Sequence, residues 1–100
     1  MKRIEPSESH IRYASNYIYC KGRYCPRPLL LPKTMKLEQF DRECEATIYL
    51  SGVMVVTEED NHNLPSPLNP SENNIISIEE MQALLLSISK PNIYISKLSL

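Results

Sequence analysis

Two cysteines, Cys20 and Cys25, are separated by four residues and could in principle define a reactive or metal-binding site. Structural zinc usually takes two tight pairs of thiolate or imidazole ligands, and a second pair would need Cys44, His10 and His62 to converge from distant positions. A Cys20–Cys25 disulfide is an alternative, but the polar N-terminus shows no export signal. The pattern therefore favours reduced thiols packed as small apolar side chains, with no metal and no cofactor.

Catalysis by a cysteine requires a base held rigidly beside the thiol. His10 falls in a Ser-, Glu- and Pro-containing N-terminal stretch, and His62 falls in a segment rich in Pro, Asn and Ser, so neither is well placed. Gly22 and Gly52 are the only glycines, which excludes a glycine-rich phosphate loop. We expect a protein that is not an enzyme.

Basic residues and tyrosines are concentrated in the same part of the chain. Residues 1–42 contain nine Lys/Arg and four Asp/Glu, whereas residues 43–100 contain two Lys/Arg and eight Asp/Glu. This split predicts a basic face for an anionic partner, although two oppositely charged halves could also attract each other on folding. Basic residues interleaved with tyrosines can hold phosphates and stack on nucleobases. Tyrosine alternatively suits a half-exposed sheet face. Four of the six tyrosines lie here: Tyr13, Tyr17, Tyr19 and Tyr24.

The elements that must position these residues are mostly strands. Residues 1–10 are predicted to be a mobile arm, followed by a β-rich region over residues 11–60. A strand is expected up to Tyr19, then a turn at Lys21-Gly22 and a short return strand limited by prolines. Leu29–Leu31 is predicted to be a buried strand, and a short helix is predicted from Thr34 to Phe40.

The segment over residues 46–57 carries a hairpin signal. Two β-prone runs flank Ser51-Gly52, a pair typical of a two-residue turn. The second run, Val53–Val56, is apolar on both faces, which predicts burial on both sides by a second chain and hence a homodimer.

The C-terminal part follows a Pro/Asn/Ser linker predicted over residues 61–74. Residues 75–100 are predicted to form a helix–strand docking segment. Ser77 and Glu80 have the spacing of a capping box, and Pro91 ends the predicted helix. Its apolar stripe must pack against another surface, because so short a helix is marginal alone. A final strand is predicted over residues 92–100.

Residues 29–57 resemble the swapped-hairpin pattern of AbrB/SpoVT-type DNA-binding domains, and SymE-like toxins are similar. The shared features are a short apolar strand ending in Pro32-Lys33, a short helix, and a hairpin with glycine at its turn. The sequence departs from the family at Asp41–Cys44, which replaces a Gly-Asp turn. The resemblance implies two interleaved chains forming one small barrel, with Arg23, Arg27, Lys33 and Lys36 near DNA phosphates.

These observations predict an α+β, mostly β fold: a swapped-hairpin-like barrel with one short helix, plus the C-terminal helix and strand. The expected function is a small, cytoplasmic, dimeric nucleic-acid-binding protein of the transcription-regulator, antitoxin or toxin kind. A protein-interaction module, inhibitor or adaptor that uses an edge strand or the C-terminal helix is the alternative. No run is long enough to span a membrane, and no membrane partner is expected. The predicted nucleic-acid contacts are Arg12, Arg23, Tyr24, Arg27, Lys33 and Lys36.

Overall fold

Seven β-strands, one α-helix and one turn of 3₁₀-helix form the part of the chain that the computed structural model describes, residues 2–4, 12–39, 47–58 and 72–96. The predicted mostly β, α+β class is confirmed. In chain order the elements are β1 Lys2–Ile4, β2 Arg12–Cys20, β3 Arg23–Pro26, β4 Pro28–Leu31, β5 Lys36–Gln39, β6 Thr47–Thr57, the 3₁₀ turn Glu72–Asn74, α1 Ile78–Leu86 and β7 Asn92–Ser96.

All seven strands belong to one sheet. Its order is β1-β7-β6-β2-β4-β5, and β3 pairs with β2 beyond the end of β4. The pair β2–β6 is parallel, and the other pairs are antiparallel. Because β2 and β6 are the two longest strands and each is paired along both edges, they form the centre of the sheet.

The turn Lys21–Gly22 joins β2 to β3, as its glycine predicts. Its two residues have φ angles of 51° and 82°, the positive values of a type I′ turn, whose twist matches that of a hairpin. Beyond the turn, β3 and β4 follow β2 in one continuous register, with Tyr17 opposite Pro26 and Ala14 opposite Leu29. The two short strands therefore act as one interrupted partner of β2.

β6 is one continuous strand, so the predicted hairpin around Ser51-Gly52 is wrong. Gly52 does have a positive φ of 125°, but it serves a bulge, because β6 has one residue more than β2 at this level. Asn16 of β2 bridges the irregularity, since its side-chain Oδ1 accepts a hydrogen bond from the Gly52 N–H at 2.8 Å. Glycine is common in both turns and bulges, and here the long-range pairing with β2 and β7 decides between them.

The apolar run Val53–Val56 is buried on both faces within this single chain. Each of its four residues is at most 2% exposed. Met54 and Val56 pack under α1, whereas Val53 and Val55 pack with tyrosines on the other face. The expectation that a second chain covers this strand is therefore wrong, and the apolar run does not support a homodimer.

The predicted helix over residues 34–40 is also wrong for the residues that are described. β4 is the strand predicted at Leu29–Leu31, and after a tight turn the chain returns antiparallel to it as β5. Met35 has a φ of 57°, a left-handed value that a helix starting at Thr34 could not contain. In β5 only Leu37 is buried, the alternation of an edge strand with one core face. Phe40 lies outside the described residues.

A side chain of α1 holds the outer edge of β5. The Gln82 Oε1 accepts a hydrogen bond from the Leu37 N–H at 2.6 Å, and the Gln82 Nε2 donates to the Met35 carbonyl at 2.9 Å. These bonds pair backbone groups that an edge strand otherwise leaves to solvent or to another chain. Gln82 therefore joins the helix to the sheet and partly closes one sheet edge.

The helix α1 begins as the capping pattern predicts. The Ser77 hydroxyl accepts a hydrogen bond from the Glu80 N–H at 3.2 Å, and the Glu80 carboxylate lies 3.2 Å from the same hydroxyl. The helix ends at Leu86, earlier than Pro91 predicts, and the Ser87 hydroxyl donates to the Leu84 carbonyl. α1 packs on β5, β3 and β2, so its apolar stripe is covered by the sheet of its own chain.

The sheet has two different faces. The helix face packs against α1 and carries the larger cluster of buried side chains: Ile18, Cys20, Cys25, Leu30, Met35, Leu37, Met54, Val56, Met81, Leu85, Ile88 and Ile93. The opposite side, called the tyrosine face below, has a smaller cluster in which Tyr24, Val53 and Val55 are buried and Tyr17, Tyr19 and Tyr94 are partly buried. The one α-helix of the described residues packs on the helix face.

The predicted N-terminal arm and linker are only partly described. Residues 2–4, within the predicted mobile arm, form β1 and pair antiparallel with β7. Of the predicted linker, only the 3₁₀ turn over residues 72–74 is described, and His10, Cys44 and His62 lie outside the described residues. β7 lies between β1 and β6, so the predicted final strand is an interior strand.

Candidate nucleic-acid interface

Arg23 and Arg27 lie at the two ends of β3 and are both exposed. Arg23 directly follows the hairpin turn and pairs with Cys20. Arg27 separates Pro26 from Pro28 and has a φ of 49°, an uncommon value for a residue with a side chain. This left-handed residue separates β3 from β4, and the exposed arginine lies at the interruption.

Neighbouring strands stabilise the backbone around Arg27. Its N–H donates to the Asn16 carbonyl at 3.0 Å. The Gln39 Nε2 donates to the carbonyls of Pro26 and Arg27 at 3.2 and 3.1 Å. Asn16 therefore contacts two irregularities at one level of the sheet, because its side chain also holds Gly52. Neither Asn16 nor Gln39 has a distinctive sequence signal, and sequence reasoning missed both.

Lys33, Lys36 and Arg12 meet at one end of the sheet. Lys33 is exposed in the β4–β5 turn, and Lys36 is the first residue of β5, opposite Leu31. The register of β2 with β4, continued by one residue, places Arg12 opposite Leu31 on the edge of β4 that faces away from β5. The Cα atoms of Arg12 and Lys36 are therefore two strand spacings, or about 10 Å, apart. The Lys36 Nζ lies 3.5 Å from a Glu38 carboxylate oxygen in an exposed ion pair, which contributes little to stability.

Tyr24 is placed differently from the other predicted contacts. It is only 5% exposed, and its ring packs against those of Tyr17 and Tyr19 on the adjacent strand. Its carbonyl accepts a hydrogen bond from the Ile76 N–H at 2.9 Å. Tyr24 therefore supports neighbouring rings and presents little surface of its own.

The predicted basic site residues do not form one cluster. Arg12, Lys33 and Lys36 lie at the end of the sheet where β2 begins, and Arg23 lies at the opposite end, eight residues or about 26 Å along β2. Arg27 lies between these two ends. The stretch over residues 12–39 carries six Lys/Arg and one Glu, whereas α1 carries Glu79 and Glu80 and no basic residue. Within the described part of the chain, the basic strands β2–β5 thus contrast with an acidic helix.

The two described cysteines are buried and reduced. Cys20 and Cys25 belong to the helix-face core and form no disulfide. Burial raises the pKa of each thiol to about 11, which Lys21 partly offsets for Cys20 and Glu79 reinforces for Cys25. A thiol with such a pKa is almost fully protonated at neutral pH, so neither group is an activated nucleophile. Among the described residues, no three His, Cys, Asp or Glu side chains group as metal ligands.

Comparisons with known proteins add no family to this description. No protein-family model matches the chain, and no curated protein or solved structure matches it significantly. In the described part of the chain, no helix has the length and apolar character needed to cross a membrane.

Proposed function

We propose that this chain is a non-catalytic nucleic-acid-binding protein whose basic strands contact phosphates. The observation that carries the proposal is that Arg23, Arg27, Lys33 and Lys36 are all exposed on one continuous β-unit, β3–β5. An exposed guanidinium or ammonium can approach a phosphate without losing a buried partner. Glu38 is the one acidic residue described in the same stretch.

The distribution of charge supports a polyanionic partner. A chain with a net charge of −1 gains little from non-specific attraction to nucleic acid, so binding requires the acidic residues to lie away from the contact. Glu79 and Glu80 lie in α1, on the helix face, whereas exposed Glu58 follows β6 beside the end of β2 and exposed Glu72 lies in the 3₁₀ turn. The tyrosine face and the end of the sheet where β2 begins are therefore the surfaces that suit phosphates.

We propose further that the chain is a transcription regulator, antitoxin or toxin that acts as a cytoplasmic homodimer. The proposal does not rest on the AbrB/SymE-like swapped-hairpin barrel. β5 and the continuous strand β6 stand where that pattern has a short helix and a hairpin. The proposed dimer does not use Val53–Val56 or the stripe of α1, because both are covered within one chain.

A protein partner is the second candidate, and the exposed apolar residues favour one surface for it. Ile48 and Tyr49, at the start of β6, are 42% and 56% exposed. The C-terminal helix and the last strand are less open to a partner, since the stripe of α1 packs on the sheet and β7 is interior. Gln82 also occupies part of the β5 edge.

Single alanine substitutions at Arg23, Arg27, Lys33 and Lys36 test the proposal. Each phosphate contact on duplex DNA contributes roughly 0.9 to the slope of log K against log salt, so each substitution should reduce the slope by about one. Lys90→Ala is the matched control, because Lys90 is exposed and follows the acidic helix. Four variants that bind like Lys90→Ala would overturn the assignment of the site.

A further inference from the structure

The tyrosine face carries an ordered group of aromatic rings. Tyr17 and Tyr19 of β2 flank Tyr24 of β3, with ring centroids 6.3 Å and 5.0 Å from that of Tyr24. Beside them on the neighbouring strand β6, Val53 and Val55 lie opposite Tyr17 and Tyr19 and are fully buried. These valines on one side and the Tyr24 ring on the other fix where the two rings lie.

Tyr17 and Tyr19 differ from Tyr24 in exposure. Tyr24 is 5% exposed, whereas Tyr17 and Tyr19 remain partly exposed beside it. Alternate residues of a strand project from the same face, so the two rings follow each other along β2 at a spacing of about 7 Å. That arrangement is a platform on which successive flat groups can stack.

Basic residues lie at one end of this platform. Tyr13 packs on the helix face, so its neighbour Arg12 lies on the tyrosine face, in the same row as Lys36. At the other end the cations belong to the helix side, since the Lys21 Nζ donates to the Ser87 hydroxyl at 3.0 Å and Arg23 pairs with Cys20 of the helix-face core. Phosphates that follow β2 would therefore meet Arg12 and Lys36 on one side of the rings.

We infer that the tyrosine face binds single-stranded nucleic acid, with unpaired bases stacked on Tyr17 and Tyr19. This inference rests on the proposed function and specifies its ligand. In a duplex the base faces are already stacked on each other, so a flat sheet surface cannot reach them. Unpaired bases can stack on aromatic rings whatever their sequence, while Arg12 and Lys36 hold the phosphates beside them.

The test compares oligo-dT, oligo-U and a duplex of equal length, for the wild type and for Tyr17→Leu and Tyr19→Leu. Leucine keeps an apolar side chain beside the valines of β6 but removes the ring. Each variant should bind both single strands about tenfold more weakly, while duplex binding and its salt slope stay unchanged. The two single strands separate a preference for DNA from one for RNA. Tyr17→Phe should bind like the wild type, because stacking needs the ring and not the hydroxyl.

Tyr13→Leu is the matched control, since Tyr13 lies on the same strand but packs on the helix face. If a leucine variant fails to fold, the preference of the wild type for single strands over duplex still tests the inference. Equal affinity for duplex and single strands, or a Tyr17→Phe variant as weak as Tyr17→Leu, would overturn it. Salt-dependent duplex binding would then survive as the proposed function, whereas no binding to any of the three probes would remove both.

Discussion

Replacing Gln82 by methionine should release the outer edge of β5. Methionine matches glutamine in length but can neither accept from the Leu37 N–H nor donate to the Met35 carbonyl, which Gln82 contacts at 2.6 and 2.9 Å. Two partly buried backbone groups would lose their partners. The loss of both bonds should lower the free energy of unfolding by about 2 kcal/mol. For a domain of this size, that corresponds to a fall in Tm of about 10 °C.

Two measurements check this prediction. Urea unfolding gives the change in free energy, and hydrogen exchange of the Leu37 amide reports on the bond itself. That amide of β5 should exchange faster in Gln82→Met than in the wild type, even under conditions where the amides of the central strands β2 and β6 stay protected. Ala83→Met is the control, because Ala83 is the exposed neighbour of Gln82 and makes no such bond. Unchanged protection at Leu37 in Gln82→Met would refute the assignment of the bond.

Three further perturbations test the fold that positions the site. Gly52→Ala places a side chain at a φ of 125° and should lower the free energy of unfolding, measured in urea, by about 1–3 kcal/mol. If β6 had no bulge here, alanine would be accepted without this cost. Ser77→Ala should cost about 1 kcal/mol by losing the hydroxyl that accepts from the Glu80 N–H, measured as a lower Tm. Between pH 9 and 11 the thiols of the unfolded chain ionise, while burial keeps the pKa of Cys20 and Cys25 at about 11. Stability should therefore fall with rising pH by up to about 1.4 kcal/mol per unit for each thiol. A double Cys→Ala variant that loses stability as steeply would contradict this.

Local signals in the sequence predicted the elements that local interactions decide. Lys21-Gly22 is a turn because the strands it joins are adjacent in the chain and pair with each other. Ser77 and Glu80 cap α1 through contacts three residues apart. In both places the sequence and the structure agree, since every partner is nearby.

The wrong predictions concern residues whose partners are distant in the chain. Ser51-Gly52 looks like the turn at Lys21-Gly22, yet it lies within β6 because β2 and β7 take both edges of that strand. The helix predicted from Thr34 was replaced by β5, whose edge is held by Gln82, 45 residues beyond Leu37. An alternation signal was present, since Leu37 lies between Lys36 and Glu38, but so short a run could not outweigh the helix pattern.

The candidate site shows the same division. The sequence revealed the basic and tyrosine-rich segment, because composition alone carries that information. It could not separate Tyr24, which is buried, from Tyr17 and Tyr19, which are partly exposed. That difference depends on β3 and β6 pairing with opposite edges of β2, which only the tertiary structure defines.

The affinity of the wild-type chain for labelled oligonucleotides across a range of salt concentrations tests the central claim most directly. Fluorescence anisotropy should show binding at low salt, where the phosphate contribution is strongest. Four contacts predict that log K falls with log salt with a slope of roughly −3 to −4, depending on whether the probe is single-stranded or duplex. No detectable binding to single-stranded or duplex probes at about 20 mM salt would contradict the claim, because electrostatic attraction to phosphates is least screened there.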